Sequence, residues 1–115
     1  MSARSETILW LAQRASAAVL ALCVLVHLVT IVFAVQGGLS AAEILGRTRG
    51  SVPGLLFYAT FVIAAAVHAP IGLRATLGEW FGWRGASRDV VLVLLALGLA
   101  VLGLRAVAGV FGGAA

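Results

Sequence analysis

Three apolar runs constrain this chain more than any other feature. Residues 15–35 are interrupted only by Ser16, His27 and Thr30, and residues 52–73 and 90–110 supply two further runs. About 20 residues at 1.5 Å each are enough to carry a helix across a hydrocarbon core of ~30 Å. Strands with open edges would leave peptide groups unpaired in lipid, so separate runs of this length imply separate helices. The expected fold class is therefore an all-α membrane protein with three transmembrane helices in one membrane-anchor domain, residues 1–115. The first run is too long for the core of a signal peptide and no A-x-A site follows it, so a retained helix is expected. Composition agrees: 63% of the 115 residues are hydrophobic and 10% are charged, more apolar surface than a soluble domain of this size could bury.

The net charge of +4 comes from eight arginines and no lysine. They cluster between the apolar runs, which suits orientation in a bilayer and argues against a nucleic-acid partner. Arg4, Arg14, Arg74, Arg84 and Arg88 fall on one side, Arg47, Arg49 and Arg105 on the other. This bias predicts a multi-pass protein with a cytoplasmic N-terminus and an external C-terminus. Trp10 and Trp80 then share the headgroup layer of one side. In the first connection, between Gly37 and Gly50, residues 41–45 are expected to form a short interfacial helix, and Pro53 suits a helix start. The second connection is expected over residues 74–88. The only cysteine, Cys23, excludes an internal disulfide and reads as a small apolar residue. Three short helices bury little alone, so a partner subunit is expected.

His27 and His68, the only histidines, both fall inside spans. Ionisable side chains are costly there and mark function by default. A neutral imidazole in an apolar bundle is a good haem-iron ligand. Zinc would want more nitrogen, sulfur or carboxylate ligands than the chain offers, and a proton relay would bring an acid into a span. Ala64, Ala65, Gly72 and Ala75 lie on the helical face of His68 and leave clearance for a flat macrocycle. Small residues also suit close helix packing, and smallness alone leaves both readings open. Pro70, two residues on, removes a backbone donor and predicts a local kink. Counted from Arg14 and Arg74, the two rings differ in depth by roughly 10 Å. Ligands of one iron must meet it at one level, so each histidine would need its second ligand from another chain. His68 would serve an inner haem, and His27 a second, outer one.

The stretch H-A-P-I-G-L-R at residues 68–74, followed by Glu79 and then W-F-G, resembles the second-helix motif of the large cytochrome b anchor subunit of succinate dehydrogenases and fumarate reductases. Residues 13–17, Q-R-A-S-A, are similar to that family's first-helix start. The resemblance spans the chain in architecture and about a dozen residues in motif. It implies half of a heterodimeric haem-binding bundle in a bacterial-type inner (cytoplasmic) membrane, with His68 as an axial ligand of haem b. Arg14 and Ser16 would lie near the quinone pocket or the haem propionates, and Arg74 at the same face near the iron–sulfur subunit. A second membrane-anchor subunit would supply the other haem ligand, a flavoprotein subunit would oxidise succinate, and electrons would pass to membrane quinone. The chain itself would be non-catalytic. Ala17 stands where the family has glycine, and Trp10 where many members have a polar quinone-site residue. His27 resembles the first-helix histidine of two-haem members. The rival readings are a haem b anchor for a different dehydrogenase, and a non-haem helical scaffold or transporter half with structural histidines.

Overall fold

The computed structural model of the chain describes residues 2–112. Among these, four helices follow one another: α1 (Ala3–Gly37), α2 (Ala41–Thr48), α3 (Val52–Phe81) and α4 (Ala86–Gly112). Helices α1, α3 and α4 are long and apolar enough to cross a membrane. The short α2 covers the expected interfacial segment and continues one turn past it.

Each helix start has a local cause. Ser2, Ser40 and Ser51 are N-caps whose hydroxyl oxygens accept from the backbone N–H of Ser5, Glu43 and Gly54. The Ser40 hydroxyl also donates to the Glu43 carboxylate at 2.7 Å. Pro53 occupies the first turn of α3, where its missing N–H costs nothing. Two ends use glycine in backbone conformations that other residues avoid: Gly38 follows α1 at φ 102°, and Gly82 caps α3 in the left-handed region at φ 64°.

The helices outrun their apolar runs, which corrects the expected second connection. Residues 74–81 belong to α3, and only residues 82–85 separate it from α4. Leaving lipid does not end a helix; its backbone bonds continue until a stop residue, here Gly82, intervenes. Arg74, Glu79 and Trp80 are thus helical. Likewise, α1 begins twelve residues before its apolar run. Helix α3 passes unbroken through the buried Pro70.

Helix α3 is central, with α1 packed on one side and α4 on the other, while α2 rests against α4. Gly103 of α4 allows the α3–α4 approach, since a Cβ there would lie 2.5 Å from Val62 Cγ1. At the end of the bundle near α2, the Gly50 N–H donates to the Phe111 carbonyl at 2.9 Å and the Thr48 hydroxyl to the Val110 carbonyl at 2.9 Å. Among the described residues the buried apolar side chains are few and mostly small, Cys23, Ala64, Ala66, Pro70, Leu92 and Val107. Large apolar side chains point outward along every span, Leu22, Phe33, Leu94 and Leu102 among them. In a bilayer that surface meets lipid tails or other apolar helices rather than water.

Candidate functional site

The arginine-rich end of the bundle, where α1 starts and α3 ends, is tied by charge. The Arg74 guanidinium reaches Glu6 of α1 at 3.3 Å and Asp89 of α4 at 3.7 Å. Arg88 is buried, pairs with Asp89 at 3.0 Å and donates to the Arg74 carbonyl at 3.4 Å. Arg84 donates to the Gly78 carbonyl at 2.9 Å, satisfying part of the C-terminal end of α3. Gly78 leaves space for these guanidinium groups: a Cβ there would stand 3.2 Å from Arg84 Nη1 and 3.3 Å from Arg88 Nη1. Glu6, Arg88 and Asp89 were not singled out in the sequence. Their signal is opposite charge at one membrane edge on three helices.

One level deeper, α1 and α3 bring Ser16 and His68 together. Ser16 is buried, and its hydroxyl oxygen lies 3.3 Å from His68 Nδ1 and 3.1 Å from the Gln13 carbonyl. Among the described residues His68 Nε2 has no hydrogen-bond partner, and it is not sealed from the surface. Ser16 also lines a groove of about 530 Å³ between α1 and α3, whose other walls include Ala12, Ala15, Ala59 and Ala64.

The expected clearance beside His68 is only partly present. Gly72 faces Gln13 of α1, whose Nε2 would stand 3.2 Å from an added Cβ. At that position the missing side chain admits a neighbouring helix, the alternative that smallness left open. Ala64 lines the α1–α3 groove, and Ala65 a separate cavity between α3 and α4. The Gln13 side-chain oxygen is buried with no partner among the described residues.

His27 sits elsewhere. Its Nδ1 lies 3.4 Å from the Tyr58 hydroxyl, and the rings of Tyr58 and Phe61 meet it edge-on with centroids 5.7 Å away. It borders an open groove of about 480 Å³ lined by Thr48, Val62, Gly103 and Val107, and its Nε2, like that of His68, has no hydrogen-bond partner among the described residues. Tyr58 and Phe61 were missed in the sequence, although their three-residue spacing places both on one face of α3.

The two histidine contacts are eleven residues apart on α1 and ten apart on α3, about 15–16 Å along the helices. That exceeds the sequence-based separation. The count from Arg14 and Arg74 treated them as level, but the Gln13–Gly72 contact puts Arg74 about one turn, ~5 Å, nearer the arginine-rich end. The two rings therefore cannot meet one iron within a single chain.

Arg14 stands apart from Ser16, exposed on another face of α1, its guanidinium 5.0 Å from the centre of the exposed Trp10 ring. Of the five residues singled out, the structure joins His68 with Ser16. It places Arg74 in the charged clamp, Arg14 over Trp10, and His27 in an aromatic cage.

Over residues 1–110 the sequence matches the family described as succinate dehydrogenase/fumarate reductase transmembrane subunit. No curated protein and no solved structure matches the chain at a significant level.

Proposed function

As the chain belongs to the succinate dehydrogenase/fumarate reductase transmembrane subunit family, we propose that it is a haem b-binding anchor passing electrons between an iron–sulfur subunit and membrane quinone. The observation that carries this reading is His68. It is a ring within a span, held at Nδ1 by a neighbouring helix, with Nε2 unbonded and open to the surface of the chain. Such a nitrogen would serve as a ligand to haem iron.

The residues fit half of such a group. His68 offers one ligand, and His27, about 15 Å away along the helices, is at the wrong level to offer the other. A second anchor subunit supplies it, and the outward-facing apolar surface of this chain suits such a neighbour. When bound, haem supplies a one-electron relay. The chain's own residues hold the ring, exclude water along the apolar spans and tie the three helix ends together through Glu6, Arg74, Arg88 and Asp89. Arg14, exposed at the same end and stacked over Trp10, offers a guanidinium to a propionate or a quinone oxygen. The N-terminus and the arginine-rich end face the cytoplasm, where the iron–sulfur and flavoprotein subunits dock.

For His27 a second reading competes with ligation of an outer haem. The Tyr58 hydroxyl meets Nδ1 and two aromatic edges pack against the ring, which suits polar packing between α1 and α3, while the unbonded Nε2 is the atom that ligation would use.

The test is to purify the complex through a tag on this chain and add succinate. Co-purified flavin and iron–sulfur subunits, with b-type absorbance that succinate reduces, are the expected outcome. A complex whose haem stays oxidised under succinate would point to a different dehydrogenase, and one with no b-type absorbance would remove the haem.

A further inference from the structure

We infer that Ser16 is a positioning residue for His68, fixing which ring nitrogen carries the proton and so which one is offered to the metal. This inference rests on the haem reading above.

The hydrogen-bond chemistry of one hydroxyl decides the matter. Ser16 has a single O–H proton. The Gln13 carbonyl, 3.1 Å away, has no proton to give, so the hydroxyl donates to it. The Ser16 oxygen is then an acceptor toward His68 Nδ1 at 3.3 Å, and Nδ1 carries the hydrogen. A neutral ring protonated at Nδ1 presents a lone pair at Nε2. That is the nitrogen without a hydrogen-bond partner among the described residues. The whole arrangement is built into α1: Gln13 and Ser16 lie one turn apart, so the helix itself commits the hydroxyl's proton and leaves its oxygen facing α3.

Two consequences follow from metal-ligand chemistry. A histidine whose remote N–H is hydrogen-bonded is held in orientation and made a stronger donor through its other nitrogen. A stronger donor favours the oxidised metal, so Ser16 lowers the reduction potential of an iron bound at His68. This role differs from contact with a quinone or a propionate: Ser16 is buried and directed at the histidine, whereas Arg14 faces outward.

The experiment is a redox titration with electron paramagnetic resonance of the purified complex, comparing the wild type with Ser16→Ala and Ser16→Thr. The alanine complex is expected to keep its haem with an upward shift in midpoint potential and altered g-values of the oxidised haem. A tenfold change in the oxidised-to-reduced ratio corresponds to about 59 mV for a one-electron couple. The threonine complex, which keeps the hydroxyl, is expected to stay near the wild type. Should the alanine complex fail to assemble, Ser16→Cys, close in shape but a weak acceptor, carries the same expected shift. Haem present with unchanged potential and g-values in the alanine or cysteine complex would overturn the positioning role and leave the haem reading standing. A wild-type complex with no b-type haem would overturn both.

Discussion

The two histidines are one residue type, each half-buried and met at Nδ1 by a hydroxyl of the facing helix, but with different neighbours. His68 is held at one nitrogen by a single hydroxyl from α1, and its other nitrogen is unbonded and open. His27, also half-buried, meets the Tyr58 hydroxyl at Nδ1 and two aromatic edges, and its Nε2 likewise has no hydrogen-bond partner among the described residues. A polar ring in apolar surroundings needs a partner, and both half-buried rings have one at Nδ1. What separates them is the neighbourhood, a buried serine beside His68 and the rings of Tyr58 and Phe61 beside His27. An unbonded second nitrogen is thus common to both rings and does not by itself separate a ligand from a packed ring.

The ends of the bundle differ in parallel. The arginine-rich end is joined by ion pairs across three helices, while the other end relies on close apolar contact, with Gly103 against Val62, and on hydrogen bonds from the α2 connection to α4. His68 and Ser16 lie nearer the charged end.

The sharpest way to break the contrast is to remove each ring in turn. His68→Ala is expected to abolish haem binding in the complex, whereas His27→Ala retains it, both read as haem per assembled complex. Equal loss in the two variants would erase the distinction. Next in size is Arg88→Met, which removes a buried guanidinium and its hydrogen bonds to Asp89 and Arg74. Thermal unfolding of the complex should show a loss of about 1.5–3 kcal/mol, the range for hydrogen bonds to charged groups. At the opposite end Gly103→Val forces a side chain into Val62, with an expected cost of about 1–3 kcal/mol from overpacking and no change in haem potential. The smallest effect is expected from Tyr58→Phe. It removes the hydroxyl beside His27 for about 0.5–1.5 kcal/mol in the same unfolding measurement, and haem content stays constant.

These features were unequally legible in the sequence. The three spans were plain because lipid demands long apolar runs, and the α2 segment and the Pro53 start followed from local cues. Helix ends were not legible from hydropathy, because a helix such as α3 continues beyond lipid until Gly82 stops it. His68 and Ser16 could each be singled out, yet their contact spans 52 positions and depends on the register of α1 against α3. The same register error displaced the depth estimate, since Arg14 and Arg74 only look level when each helix is counted alone. Gly72 shows the limit of reading small residues: a missing side chain signals that something comes close, and here the neighbour is Gln13 of the same chain.

The central claim is that His68 supplies one ligand to one haem shared with a neighbouring subunit. Haem extracted from the purified wild-type complex and quantified against this chain tests it most directly. The account predicts one b-type haem per copy of the chain. A complex that carries none would contradict it.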